Sequence, residues 1–211
     1  MKATIVAACT AIACFLATAD PASACSRSVS SKAAGTAVPS KSIDQRLLER
    51  AIVAEVNFHR CRAGLPGVAT ASGGLRVEAV KHSSWMAKYQ QLTHRSTVSG
   101  SATLKQRFRN AGVRYSAGSE NIGMVHRYRI DNRRFNIIDA NACKFASKDG
   151  TRLPVHSYAS LARHIVNLWM NSPGHRKNIL DRKVSHMTSG VAFDPKARYC
   201  GRFWITQNFI G

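Results

Sequence analysis

Apolar residues recur at helical spacing in the first part of the chain and predict three helices there. The first helix has one apolar face, which is formed by Leu47, Leu48, Ala51, Ile52 and Val56. Ser42 and Gln45 have the spacing of a capping box at its start, and Gly64 with Pro66 marks its end. A second helix is predicted to begin near residue 75, and a short third helix to cover about 103–110.

The later part of the chain combines strands with helices. The glycine-rich stretch 115–125 is interpreted as a loop that enters a strand, and a fourth helix is predicted over about 157–171. Ser172 and Pro173 then match the N-cap and the first position of a short helix that ends near residue 180. Two strands are predicted to close the chain, at about 186–193 and 203–209.

One stretch shows neither the helical spacing nor the alternation of a strand. Residues 126–156 are treated as an insertion, in which 135–138 form a candidate strand. The remaining order is helices, a strand, helices and a strand pair, which differs from the alternation of a parallel βαβ sheet. The pattern therefore predicts an α+β fold, with layers packed around an antiparallel sheet.

The N-terminus has the features of a secretory signal peptide. Lys2 precedes an apolar run over 3–19, and Ala22-Ser23-Ala24 offers a cleavage site before Cys25. The run is long enough to span a bilayer, but its threonines and the lack of a basic cluster directly after it favour cleavage. No second apolar run approaches spanning length, so no transmembrane segment is expected in the mature chain.

Cleavage leaves three questions about the mature protein. Residues 25–41 have few large apolar groups and are predicted to be a disordered leader, so that the domain spans 42–211. Cys25 would be the new N-terminus, but Ala22 is a poor match to the signal of a lipid-anchored protein. We therefore expect export to the periplasm or the extracellular space, with lipid anchoring at Cys25 as the less favoured alternative.

The charge and the cysteines fit an exported protein. The net charge of +20 favours anionic surroundings such as a cell surface or anionic lipid, although it could serve solubility alone, and nucleic acid is an unlikely partner after export. Four of the six cysteines lie beyond the signal, which predicts two disulfides. Three pairings are open, and we favour Cys25 with Cys61 and Cys143 with Cys200.

The common catalytic motifs are absent. The sequence has no H-E-x-x-H, G-x-S-x-G, G-x-x-x-x-G-K-[ST] or G-x-G-x-x-G. What remains is a set of polar residues near the ends of the predicted elements: His94, Glu120, Asn121, Ser172, His175 and His186. Each one alone has an ordinary structural explanation, and Ser172 in particular is explained as a helix N-cap.

Five segments together resemble the CAP superfamily of cysteine-rich secretory, antigen five and pathogenesis-related proteins, in its bacterial form. They are A-E-V-N-F-H-R-C-R-A-G-L-P, H-S-S-W-M-A with L-T-H, S-E-N-I-G, W-M-N-S-P-G-H-R-K-N-I-L, and the final strand pair. The resemblance implies a three-layer α-β-α sandwich with a central antiparallel sheet. It also implies a cleft that holds two histidines and two acids.

Matching the family's cleft position by position assigns His94 and His186 as the two histidines and Glu120 as one acid. Ser172 stands where many relatives have the second acid. Asn121 and His175 are expected beside them. The two histidines are the candidate ligands of a divalent metal such as zinc.

Three functions remain open. The favoured one is a non-enzymatic binding module for a small apolar, lipid-like or anionic envelope ligand in the cleft near His94, Glu120 and His186. The alternative is a metal-assisted, protease-like hydrolase, in which Glu120 would be the base for a metal-bound water. The third is a basic protein that interacts with the cell envelope through charge alone.

Overall fold

A four-stranded sheet lies between helices on both of its faces. In a computed structural model, residues 25–71 and 73–211 are described, and the predicted signal peptide, 1–24, lies outside them. The helices are α1 (Ser31–Gly35), α2 (Gln45–Arg62), α3 (Gly73–Tyr89), α4 (Leu104–Asn110), α5 (Tyr158–Met170) and α6 (Pro173–Ile179). The strands are β1 (Ala69–Thr70), β2 (Gly118–His126), β3 (Phe135–Asp139), β4 (Lys144–Ser147), β5 (His186–Asp194) and β6 (Arg202–Ile210).

The sheet has the order β1-β5-β6-β2. Strand β6 is central and pairs antiparallel with both β5 and β2 over nine residues each. The predicted α+β class and the antiparallel centre of the sheet are confirmed. The sequence did not indicate β1, a two-residue edge strand that pairs parallel with β5.

Two glycines show that helices cover opposite faces of the sheet. A Cβ atom at Gly190 would lie 2.3 Å from the backbone nitrogen of Val80 in α3. A Cβ atom at Gly123 would lie 2.6 Å from Cδ1 of Ile165 in α5. Gly123 and Gly190 pair with consecutive residues of β6, Ile205 and Thr206. Consecutive residues of a strand point to opposite faces of the sheet, so the two glycines face opposite sides. The three layers are therefore α3, the sheet, and α5 together with α2.

The segment 25–41 differs from the expected disordered leader. It contains α1, and the side chains of Ala33 and Val38 are buried in the main core. Arg27 forms an ion pair with the buried Glu55 at 2.8 Å. Small apolar residues, one ion pair and one disulfide thus hold a segment whose composition alone suggested disorder.

The start of α2 also differs from the prediction. Asp44, not Ser42, is the N-cap, and its side chain accepts a hydrogen bond from the backbone nitrogen of Leu47. Gln45 does not complete a capping box, since its side chain bonds the backbone of Val191 in β5. Asp and Ser cap helices about equally well, so spacing alone could not separate the two.

Residues 127–156 form a small unit of their own. Strands β3 and β4 pair as a separate two-stranded sheet, which confirms the candidate strand at 135–138. Ile130, Phe145 and Leu153 form its core. That this segment is an insertion stays a prediction.

Both favoured disulfide pairings are present in the structure. Cys25 is bonded to Cys61, and Cys143 to Cys200. A sulfur atom in a disulfide cannot also carry a lipid thioether, so the pairing of Cys25 opposes lipid anchoring at that residue. Within the described part of the chain, no helix combines the length and the apolarity that a membrane crossing requires.

We predict that His156 makes the fold sensitive to acid. Burial, together with the charges of His164 and Arg129, lowers the pKa of His156 from 6.5 to about 4. The unfolded chain therefore takes up this proton at a higher pH than the fold does. Its contribution to stability is complete above about pH 6.5 and is lost as the pH falls toward about 4.

Between about pH 7 and about pH 5, this one group should lower the free energy of unfolding by about 2 kcal/mol. Urea unfolding at the two pH values measures the loss. A His156→Gln variant should show a correspondingly smaller loss. An identical loss in the variant would show that His156 is not the group responsible.

Candidate functional site

Glu120 lies near the start of the outer strand β2, with its carboxylate turned into the protein. The residue is 6% exposed, and its partner Arg107, from α4, is 1% exposed. Nη2 of Arg107 donates to both carboxylate oxygens, at 2.9 and 2.7 Å. A buried carboxylate is tolerated only when it is paired and hydrogen-bonded, and Arg107 meets both conditions.

Arg107 also fixes the loop that carries His94. Its Nη1 lies 3.4 and 3.3 Å from the carbonyl oxygens of Ser101 and Ala102. Its Nη2 donates to the carbonyl oxygen of His94 at 3.2 Å. The guanidinium therefore joins the sheet to the loop through the carboxylate on one side and three carbonyl groups on the other.

His94 is the exposed member of this group. Its Nδ1 lies 2.9 Å from Oε1 of Glu120, and its side chain is 56% exposed. Because the carboxylate oxygen can only accept, Nδ1 carries the proton of the neutral ring, and Nε2 holds the lone pair. The structure thus presents an oriented imidazole nitrogen at the protein surface, as the match between His94 and Glu120 predicted.

His82, on α3, hydrogen-bonds the loop that carries His94. Its Nε2 donates to the carbonyl oxygen of Thr93 at 3.0 Å and lies 3.9 Å from Oε1 of Glu120. Burial lowers the pKa of His82 despite the nearby Glu120 charge, which favours the neutral ring. The ring stacks on Trp85, with 6.1 Å between the ring centres.

Asn121 and Asn178 connect β2 to α6 and position His175. Nδ2 of Asn121 donates to the carbonyl oxygen of His175 at 3.3 Å and to Oε1 of Gln207 at 2.9 Å. Nδ2 of Asn178 donates to Oδ1 of Asn121 at 2.8 Å and to the carbonyl oxygen of Glu120 at 3.2 Å. Burial and the nearby charge of His94 lower the pKa of His175. His175 thus lies within range of the His94 charge.

His186 does not join them, and its assignment as the second cleft histidine is wrong. Glu120 pairs with Asn208, which pairs with Thr188, so His186 lies two strands away and two residues further along. These offsets correspond to roughly 10 Å and 7 Å. The His186 ring is exposed and lies within hydrogen-bond distance of the Ser185 hydroxyl, at 2.9 Å. Helix α6 instead places the backbone of His175 against Asn121.

Ser172 occupies the N-cap position of α6, as predicted, but its hydroxyl makes no capping hydrogen bond. It is half-buried, and its side chain has no hydrogen bond to another described residue. Trp169, three residues earlier, is part of the core and donates from Nε1 to the carbonyl oxygen of Ile122 at 2.9 Å. This part of the W-M-N-S-P-G-H segment is therefore architectural.

The donor set does not fit the expected zinc site. The separation of His186 from His94 removes that pair as joint ligands. His94 and His175 offer two imidazoles, whereas catalytic zinc sites use three protein ligands. Both oxygens of Glu120 already accept hydrogen bonds. Across residues 25–71 and 73–211, no three His, Cys, Asp or Glu side chains are grouped so that they could hold a metal ion.

Three residues of this group were not recognised as site residues from the sequence: His82, Arg107 and Asn178. Arg107 could have been inferred, because a carboxylate on a buried strand requires a cation nearby. Nothing in the sequence shows which of the many arginines supplies it. His82 was assigned to a helix face, but its contact with the Thr93 carbonyl depends on the path of the loop.

A groove of about 560 Å³ is formed by α3 and by the loop that follows it, which also carries His94. Trp85, Leu92 and Arg95 are among its lining residues. Tyr89, Leu92 and Val98 are large apolar residues with 48%, 45% and 46% exposure. Trp85, Leu92 and Arg95 thus share this groove with polar residues of the loop that carries His94.

Removing the cation from the buried pair should be costly. We expect Arg107→Met to lower the free energy of unfolding by about 3–5 kcal/mol, because the Glu120 charge would remain buried without its partner. Arg109→Met removes an exposed arginine from the same helix and should change it by less than about 0.5 kcal/mol. Urea unfolding of both variants measures the difference. Equal losses would mean that the pair does not have the role assigned to it.

Comparisons with known proteins identify the family. The model of the cysteine-rich secretory protein (CAP) family matches residues 53–209. An extracellular protein from Bacillus anthracis that contains an SCP domain has the same fold, with a TM-score of 0.52 and 23% identity. That alignment covers 79% of this chain but only 41% of the Bacillus protein.

Two further solved structures are similar over most of the chain. An outer surface protein from Borrelia burgdorferi has a TM-score of 0.49 and 14% identity, over 80% of this chain and 96% of that protein. A cysteine-rich secretory protein from Staphylococcus aureus has a TM-score of 0.47 and 16% identity, over 82% and 40% respectively. The comparison with curated proteins finds no match. Because the family model covers most of the sequence, the chain belongs to the cysteine-rich secretory protein (CAP) family.

Proposed function

We propose that this protein is an exported binding module that takes a small amphiphilic ligand in the groove beside His94. The observation that carries the proposal is the exposed imidazole of His94, which Glu120 holds in a fixed orientation. Its chain neighbours Thr93 and Arg95 line a groove that also contains Trp85 and Leu92. A ligand with an apolar body would contact Trp85 and Leu92. Its anionic end would meet Arg95 and His94.

Export is supported by the sequence and by the chemistry of the chain. The N-terminal apolar run has a cleavage site after it, and two disulfides form most readily in an oxidising compartment. The Bacillus anthracis protein of the same fold is extracellular. The basic charge would keep such a protein close to anionic envelope components.

The state of Glu120 favours binding over turnover. Three hydrogen bonds already engage the two oxygens of this buried carboxylate, which makes it a poor general base and a poor metal ligand. In its present arrangement it orients the imidazole instead. Hydrogen bonding of this type fixes the tautomer and the direction of a histidine ring.

We expect Leu92→Ser to weaken binding of dodecanoate, used as a simple amphiphilic probe, by about fivefold. The loss corresponds to about 1 kcal/mol for removing a partly buried apolar contact. Val77→Ser is the matched control, because Val77 is 52% exposed on α3 and does not line the groove. Isothermal titration calorimetry measures both affinities.

Equal weakening in the two variants, or no heat with dodecanoate, would contradict the proposed groove. Mass spectrometry of the protein purified from its native host would then identify any ligand that it retains. A lipid that is released from the wild-type protein but absent from the Leu92→Ser protein would support the same groove.

A metal-assisted hydrolase is the second candidate, and one observation favours it. The Nε2 lone pair of His94 faces outward from a carboxylate-backed imidazole, which is the usual arrangement of a histidine metal ligand. Calorimetry with zinc separates the two functions. Tight zinc binding that is lost in both His94→Ala and His175→Ala, together with peptide hydrolysis, would favour the hydrolase over the binding module.

A further inference from the structure

A second groove lies at the other end of β2, far from Glu120. Its volume is about 410 Å³, and it lies between α5 and the residues that follow β2. Strand β2 begins two residues before Glu120 and ends at His126, so roughly 20 Å of strand separates the two sites. The groove is therefore independent of the site around His94.

Three arginines line this groove: Arg129, Arg133 and Arg163. Of these, Arg163 shares the buried Glu55, with Nε and Oε1 3.0 Å apart. Among residues 25–71 and 73–211, no carboxylate lies within 4.0 Å of the Arg129 or Arg133 guanidinium. Two cations thus border the groove without an acidic partner.

One acid also lines the groove, but it is already engaged. Asp131 accepts from Nδ1 of His126 at 2.5 Å and from the backbone nitrogen of the same residue at 2.9 Å. Burial alone would raise the pKa of Asp131, yet its hydrogen bonds from His126 leave that pKa below the ordinary value. Asp131 therefore remains a bound carboxylate and leaves the charge of the groove positive.

His156 supplies a buried polar atom that has no partner in the described chain. The residue is 3% exposed and lines the groove, and its Nε2 has no hydrogen bond. Nδ1 lies 3.0 Å from the hydroxyl of Ser160, which in turn donates to the carbonyl oxygen of Ser157. With the Ser160 proton on Ser157, Nδ1 is the protonated nitrogen, and Nε2 is an acceptor that lacks a donor.

Two other lining residues also have a buried polar atom without a hydrogen-bond partner in the described part of the chain. Nε of Arg129 and Nε2 of His164 are also buried without a hydrogen-bond partner among the described residues. A buried polar atom without a partner requires an explanation, and a bound water or ion is one. Here such atoms include a donor on Arg129 and an acceptor on His156.

We propose that this groove binds the phosphoryl group of a phosphate monoester. The oxygens of a monoester accept from arginine, and its monoanion, which loses the last proton with a pKa near 6, carries a P–OH that can donate to Nε2 of His156. Sulfate and phosphodiesters carry no such proton at neutral pH. The groove has room for a small organic group attached to the phosphate.

Glycerol phosphate is the soluble probe, and calorimetry at ~0.1 M ionic strength limits non-specific attraction. Arg133→Gln should weaken its binding by about tenfold or more. Arg133 is exposed and has no hydrogen bond within the described chain, so the fold should survive its replacement. Arg134→Gln is the matched control, since Arg134 is the next residue, is equally cationic and does not line the groove. It should bind within about twofold of the wild type.

The proposal is overturned by any of three results: no heat with glycerol phosphate, an equal loss in the two variants, or sulfate that binds as tightly as the monoester. Vesicles that contain phosphatidic acid, compared with pure phosphatidylcholine vesicles, separate the two sources of the ligand. Binding to phosphatidic acid that requires Arg133 assigns a lipid headgroup. Heat with glycerol phosphate but no vesicle binding assigns a soluble monoester. The Leu92→Ser variant should bind the monoester normally, which keeps this test separate from that of the His94 groove.

Discussion

The carboxylate of Glu120 lies behind the outer strand of the sheet, where water cannot solvate it, and the surrounding structure compensates its charge. An ionised group in that position would be strongly destabilising without a partner. Helix α4 places Arg107 against it, and the remaining donors of Arg107 hold the loop that carries His94. The orientation of the exposed imidazole is therefore a consequence of the way a buried charge is satisfied.

The same solution recurs at two other buried acids of this basic chain. Glu49 contacts Arg76 at 2.5 Å and accepts from Thr188, and Glu55 lies between Arg27 and Arg163. The sequence has 31 lysines and arginines but only 11 aspartates and glutamates, so most cations cannot have an acidic partner of their own. The excess cationic side chains lie at the surface, and two of them, Arg129 and Arg133, line a groove. The excess of cations over acids thus supplies both the partners of the buried acids and the unpaired arginines that could bind an anionic ligand.

The sequence predicts the helices well because their apolar faces make contact in the core over several turns. Helix α5 carries Leu161, Ile165 and Trp169 on one face, and all three are buried. Features that depend on single contacts could not be predicted. One such feature is the use of Asp44 instead of Ser42 as the helix cap. Another is the ordered structure of residues 25–41. Both depend on neighbours that are distant in sequence.

The site was predictable where sequence order and spatial order coincide. His94 and Glu120 meet as expected, since each lies at the end of an element at the same side of the sheet. The match of His186 failed because a histidine at the start of a strand was taken to face the cleft, whereas the register puts that position two strands away. His175 reaches β2 through the amide network of Asn121 and Asn178, which has no sequence signature.

A double-mutant cycle between Arg107 and Glu120 tests the central claim most directly. Free energies of unfolding are measured for the wild type, Arg107→Met, Glu120→Gln and the combined variant. If the buried pair organises this end of the molecule, the two changes are coupled by at least about 2 kcal/mol, because the second change removes the group that the first one left unpaired. Additive effects, with a coupling energy near zero, would contradict the account.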